Sequence, residues 1–191
     1  MSFKPSTLDT HRLFICLLPD APTRQVIHGL RSAWHWPANR WWTEPARLHA
    51  TVADPLYFSR DEALRLRQGL QSLHFGSFAL RLHRAAVHGD NLALQAAPCP
   101  AFRALQGQVR RLAGLAQAPF ERLPSPHVTL SRHARGLPSP TLPTAIDWPV
   151  SAVCLVWSQL AADVGCRHYE VLARYPCAPE VIAPAQLAFG F

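Results

Sequence analysis

The chain is short of charge and nearly without lysine. Only 16% of its 191 residues are charged, and Lys4 is the sole lysine among 19 basic residues. Acidic residues are fewer still, 12 in all, so the net charge is +7 with ten histidines left out of the sum. No apolar run reaches the ~18 residues needed to cross a bilayer. The segment Met1–Arg12 has no hydrophobic core of the signal-peptide kind. The five cysteines, Cys16, Cys99, Cys154, Cys166 and Cys177, form no Cys-x-x-Cys pair, and no His-Glu-x-x-His occurs, so the sequence offers no zinc site. An odd set of scattered thiols without a leader or a span is expected of a cytoplasmic protein with reduced cysteines and no membrane contact.

What is present is apolar. Hydrophobic residues make up 49% of the chain, which excludes a disordered tail-like protein, and the 18 prolines exclude a coiled coil. The length suits one globular unit. An arginine-rich surface suits phosphate or nucleic acid, because the guanidinium fork matches phosphate oxygens. A base-composition bias of the genome accounts for such an excess equally well.

Periodicity alternates between strand and helix. Arg12–Leu18 reads as a strand. Asp20 and Pro22 open a helix with Val26, Ile27, Leu30 and Trp34 on its apolar face. Arg47–Ala53 reads as a second strand that Pro55 ends. Ser59 and Glu62 form a capping box for a helix bearing Ala63, Leu66, Leu70 and Leu73. Ser77–Val87 and Leu92–Ala96 read as a hairpin around Gly89-Asp90-Asn91. Pro100 opens a helix with Phe102, Leu105, Val109 and Leu112 on one side, and His127–Ser131 is a strand. The Pro-rich stretch 136–149 reads as a connection. Val150–Trp157 and His168–Tyr175 read as a hairpin around Asp163-Val164-Gly165, and a Pro/Ala-rich tail covers 176–191.

Shifting the sequence by 78 residues exposes a repeat of about 12–52 on about 91–130. Strand falls on strand, helix on helix, Trp42 on Phe120, and His49-Ala50-Thr51-Val52 on His127-Val128-Thr129-Leu130. Residues i and i+2 of a strand share a face. His49 with Thr51, and His127 with Thr129, therefore each present a polar pair while the apolar pair packs behind. Two lobes related by an approximate two-fold axis would bring both pairs to one cleft.

Two imidazoles and two hydroxyls suit acid–base cleavage of a phosphodiester. An imidazole titrates near ~6.5, so one ring can accept a proton while the other gives one. The threonine hydroxyls can donate to non-bridging phosphate oxygens, and Arg132, three residues past Thr129, adds a fixed positive charge. The scheme needs no metal and no cofactor. Of the tryptophans clustered at 34, 36, 41 and 42, Trp42 is the candidate for stacking on a base, with Phe120 at the equivalent place. The bland reading is that these rings plug their loop against the lobe.

HATV at 49–52 and HVTL at 127–130 look like the paired His-x-Thr/Ser-hydrophobic motifs of the 2H phosphoesterase superfamily. The opening RLFICLLPD and the run PSPHVTLSR resemble its RNA 2′,3′-cyclic phosphodiesterase branch, also called 2′-5′ RNA ligase. The likeness extends from about Arg12 to Tyr175. One departure is Ala53-Asp54-Pro55-Leu56-Tyr57-Phe58, where the family commonly has a strand ending in a Phe-Leu-Gly-like turn.

The resemblance implies a bilobal α+β fold, one domain over 1–175, with antiparallel sheets lining a central cleft and helices outside. It implies hydrolysis of an RNA-terminal 2′,3′-cyclic phosphate to a 2′-phosphate, and in some members reversible 2′-5′ joining. Carried over residue by residue, the catalytic groups are His49 and His127, and the phosphate-binding ones Thr51, Thr129 and Arg132. His127 would activate water and His49 would protonate the leaving oxygen. The expected partner of this monomer is an RNA 3′ end or a small cyclic nucleotide. Three alternatives stand beside it: a phosphodiesterase for another small cyclic phosphate, a non-catalytic RNA-binding module with the same cleft, and a His-rich metal-binding protein.

Overall fold

A computed structural model describes residues 11–37, 41–114, 125–161 and 165–179. Strand β1 (His11–Leu17) leads to helix α1 (Ala21–Ala33), then β2 (Ala50–Phe58), α2 (Arg60–Gly69), β3 (Phe78–His88), β4 (Asn91–Ala96), α3 (Pro100–Leu112), β5 (His127–Arg132), β6 (Ile146–Val150), β7 (Ala152–Ala161) and β8 (Gly165–Pro176). The eight strands form one antiparallel sheet in the order β6-β3-β4-β5-β2-β1-β7-β8. That order is symmetric about the β5–β2 junction. Each half pairs a His-x-Thr strand (β2 or β5) with the first strand of its repeat (β1 or β4), then with two more strands.

Local chemistry sets the helices. Asp20 accepts from the Thr23 amide at 2.9 Å and Pro22 sits in the first turn of α1. Ser59 and Glu62 satisfy each other's backbone amides at the start of α2, the capping box read from the sequence. Cys99 caps α3 through its sulfur, and both α1 and α3 have 13 residues. The helices lie on one side of the sheet, α1 against β6 and α3 against β2, so each crosses to the other half. Beneath them lies the main core, with Leu13, Ile15, Leu17, Leu48, Ala50, Val52, Leu92, Leu94, Phe102, Leu105, Val128, Leu130 and Trp148 among its buried residues. Alternation leaves the other face of the sheet for function.

Four expectations need correction. The stretch 136–149 is not wholly a connection: Ile146–Val150 is a strand, and Pro149 is tolerated there because β6 is an edge. Pro55 does not end β2, which runs on to Phe58. The ladder to β1 skips a residue between Ile15 and Leu13, so the missing amide falls at an irregularity. Residues 45–47 form a short 3-10 turn ahead of β2. On α1 the buried residues are Thr23, Ile27 and Arg31, and Val26 is exposed; Arg31 is accommodated by donating to the Thr43 carbonyl and lying over the Trp42 ring.

The hairpins are where expected. Gly89 takes φ +59 in the two-residue β3–β4 turn, a conformation glycine adopts at no steric cost. The tip of the β7–β8 hairpin at 162–164 lies outside the described residues. After β8 the chain is tied down by Cys177 and Ala178, whose amides donate to the Ser151 and Phe75 carbonyls. The remainder of the tail, 180–191, is outside the described residues.

Candidate active site

The repeat meets itself at one point. Ala50 and Val128, equivalent residues of the two His-x-Thr segments, are the registered pair joining β2 to β5. In an antiparallel pair the flanking residues also fall opposite one another. His49 therefore stands across from Thr129, and Thr51 across from His127. Ala50 and Val128 are fully buried on the helix side, while all four polar residues are half-buried on the other. The two histidines occupy a diagonal of this square, with Cα atoms roughly 7–8 Å apart by strand geometry. That spacing leaves room for a phosphate between the rings.

Both rings are held alike. The Nδ1–H of His49 donates to the Arg47 carbonyl at 2.7 Å, and that of His127 donates to the Ser125 carbonyl at 3.0 Å. Fixing the proton on Nδ1 leaves Nε2 as the working nitrogen in each. The contact alone is not diagnostic, since exposed His74 makes it to Ser72 as well. What distinguishes His49 and His127 is that two such rings share one face at the junction of the halves.

Arg132 reaches this face through a defect in the ladder. Simple alternation would turn a residue five positions from His127 to the helix side. Between β4 and β5, however, Ala93 pairs Thr129 and Leu92 pairs Ser131, so Leu130 is an extra residue. After this bulge Ser131 faces the core, fully buried, and Arg132 pairs Asn91 on the histidine face. The first half repeats the device: Cys16 pairs Thr51 and Ile15 pairs Ala53, leaving Val52 extra. Val52 and Leu130 are equivalent positions of the two motifs.

The electrostatics follow from this placement. Burial holds the His49 imidazole below its ordinary value of 6.5, the backbone bond to Arg47 opposes this, and Arg132, His127 and Arg12 lower it further. Arg12 thus belongs to the site, although nothing in the sequence singles it out. It alternates with Phe14 and Cys16 on β1, and only the register, with Cys16 opposite Thr51, places that row beside the histidines. Phe14 supports the His49 ring at 4.9 Å between centroids, and Tyr169 of β8 lies 6.3 Å from His49 and 5.8 Å from Phe14. Phe14, Cys16, Cys154 and Val156 form a small buried cluster on this face. Burial raises the Cys16 thiol well above its usual range, so it is an apolar filler and not a nucleophile. The other half of the face is polar: Gln95, paired with His127, accepts from Arg84.

The aromatic candidates separate. Trp42 is half-buried, stacked on Trp36 at 5.4 Å and covered by Arg31 at 5.4 Å, on the helix side of the sheet. Trp36 donates to Ser131 and Trp34 to the Thr141 carbonyl. Trp41 is 77% exposed. Phe120 lies outside the described residues. Exposed His133 takes φ +58 and pairs with Asp90 at 3.2 Å. Among the described residues no group of three or more His, Cys, Asp or Glu side chains is placed to hold a metal ion, and no helix is long and apolar enough to cross a membrane.

No family model matches the chain, and no curated protein matches it in sequence. Solved structures do match. E. coli LigT complexed with 3′-AMP superposes with a TM-score of 0.76 at 22% identity, covering 88% of this chain and 99% of that one. A crystal structure of a phosphoesterase gives 0.77 at 21% identity, covering 88% and 99%. TT0787 of Thermus thermophilus gives 0.71 at 20% identity, covering 86% and 97%. At these identities the likeness speaks for architecture. The chain shares the fold of LigT and of that phosphoesterase, and its own version of it, over the described residues, is an eight-stranded antiparallel sheet with three helices behind.

Proposed function

We propose that this protein is a two-histidine phosphodiesterase that hydrolyses an RNA-terminal 2′,3′-cyclic phosphate to a 2′-phosphate. The observation that carries the reading is the square of His49, Thr129, Thr51 and His127 about the Ala50–Val128 pair, with Arg132 brought to the same face. The coarser step, a phosphodiester-cleaving enzyme, draws on the fold shared with the phosphoesterase and LigT structures. The nucleotide step draws on LigT having been crystallised with 3′-AMP, ATP and NADP+.

In this mechanism the cyclic phosphate lies between the two Nε2 atoms. His127 takes a proton from water as its oxygen attacks phosphorus. The bond from phosphorus to the ribose 3′-oxygen breaks, and His49 gives that oxygen a proton. Half-buried and flanked by cations, His49 holds its proton less readily than an ordinary imidazole and is neutral at neutral pH in the free site. The bound phosphodiester anion raises its affinity for a proton, and the resulting imidazolium is a strong donor at the moment of cleavage. Thr51, Thr129 and Arg132 stabilise the charge gathering on the non-bridging oxygens. Arg12 adds a second cation on the same face. With the 5′-hydroxyl of a second strand in place of water, the same steps form a 2′-5′ phosphodiester as the bond to the 3′-oxygen breaks. The protein acts as a cytoplasmic monomer in this reading, without metal or cofactor.

Incubation with a 2′,3′-cyclic mononucleotide in chelator, with the product isomer identified, tests the proposal. A 2′-phosphate as sole product supports it. A 3′-phosphate, or turnover confined to a cyclic phosphate of ADP-ribose, overturns the substrate assignment.

A further inference from the structure

Trp41 stands out on the surface of the described residues. Other aromatic rings already have partners: Phe14 and Tyr169 support His49, and Trp36 and Trp42 stack on one another beneath Arg31. Among the described residues Trp41 is tied to the fold through its backbone, its carbonyl accepting from the Ser131 hydroxyl at 2.9 Å. Its indole is left 77% exposed, the most exposed large apolar side chain among the described residues.

Its position is fixed by pairing. Trp42 bridges Ser131 antiparallel, and the Thr43 amide donates to the Leu130 carbonyl at 2.7 Å. Trp42 and Ser131 face the helices. Alternation then turns Trp41 to the other side, opposite Arg132, one strand spacing of about 4.8 Å away. Arg132 itself lies two ladder steps from Thr129, roughly 7 Å along the strand. The indole therefore stands at the rim of the histidine face, just past the phosphate site, with exposed Arg132 beside it. An exposed aromatic face next to cations that track a phosphate backbone is the arrangement that holds single-stranded nucleic acid.

We propose that Trp41 is a stacking platform for the base preceding the terminal nucleotide, so that the site prefers an RNA 3′ end to a cyclic mononucleotide. The proposal rests on the phosphodiesterase reading of His49 and His127 and names its substrate class. Stacking of this kind is sequence-tolerant, since every base has a π face, so Trp41 selects for chain length and not for base identity. Trp41→Phe keeps a ring, and Trp41→Ala removes it without touching the backbone bond to Ser131.

The test compares kcat/KM on a 2′,3′-cyclic mononucleotide with that on a tetranucleotide carrying the same end, for the wild-type protein and both variants. The expected result is that Trp41→Ala lowers the tetranucleotide-to-mononucleotide ratio about tenfold or more, and that Trp41→Phe recovers most of it. A ratio unchanged in Trp41→Ala overturns the proposal. A second arm measures binding of a tetranucleotide ending in a 2′-phosphate at fixed salt, with Kd expected to rise about tenfold in Trp41→Ala. Should the wild type turn over neither substrate, the phosphodiesterase reading fails. The binding arm then still decides on stacking, because an unchanged Kd sinks it.

Discussion

Arg132 and Thr129 face the same side of β5 although they are three positions apart, because Leu130 is left out of the ladder to β4. The cation that a regular strand would bury among the helices is thereby turned to the histidine face, where it helps to hold the His49 pKa down. An arginine here offers two parallel donors to a phosphate, which an ammonium does not. Arg132→Ala is expected to lower kcat/KM on a cyclic nucleotide by about 10², and Arg132→Lys to recover only part of that. Full activity in Arg132→Ala would show that the bulge serves only the fold.

The His49 titration gives a second test. Its pKa lies below 6.5 because of burial first, and then because of Arg132, His127 and Arg12. Bound anion must push it up, and loss of Arg132 must do the same. Histidine NMR titration should therefore show His49 below the ordinary value in the free protein. It should rise on adding inorganic phosphate and rise again in Arg132→Ala. A titration indifferent to phosphate would place the anion elsewhere.

The same shift has a consequence for stability. Unfolded His49 binds its proton near 6.5 and folded His49 only at lower pH, so the unfolded chain holds more protons in between. The contribution to stability is fully present above 6.5 and lost as the pH falls through the depressed value. Thermal melts of the wild type should lose more stability between neutral and mildly acid pH than melts of His49→Asn. Parallel curves would contradict a buried, depressed His49.

Trp42 is expected to behave as a structural residue. Its ring is packed between Trp36 and Arg31 and against the main core. Trp42→Ala should cost about 2–3 kcal/mol in denaturant unfolding, less than a fully buried tryptophan because the ring is only half covered. Its ratio of oligonucleotide to mononucleotide turnover should stay near that of the wild type. A change in that ratio as large as for Trp41→Ala would put both rings in the substrate path.

The order of strands and helices, and the two polar pairs, are readable because periodicity and capping are local. Asp20, the Ser59–Glu62 box and the Gly89 turn each act within a few residues. Register is not readable in this way. The uniform shift of 78 puts Cys16 on Leu94, on the opposite face of the sheet. Pairing makes Cys16 equivalent to Ala93, 77 residues on, while the helix starts Ala21 and Pro100 are 79 apart. A slip of one residue flips every side chain. Hence the local pattern does not single out Arg12 or Phe14, and proximity in sequence names Arg132 without the bulge that makes it correct. Tyr169 carries no local signal, since only the β1–β7–β8 pairing brings it to Phe14. Trp41 and Trp42 cannot be told apart until the bridge to Ser131 assigns each a side.

The central claim is that His49 and His127 work as one acid–base pair across the Ala50–Val128 junction. Turnover of a 2′,3′-cyclic nucleotide in chelator by the wild type, His49→Ala and His127→Ala, with each variant's fold checked by circular dichroism, tests it most directly. Each single variant should lose at least about 10² in kcat while staying folded, and the double variant should lose little more, because the two groups act in the same step. Near wild-type turnover in either folded single variant would contradict the account.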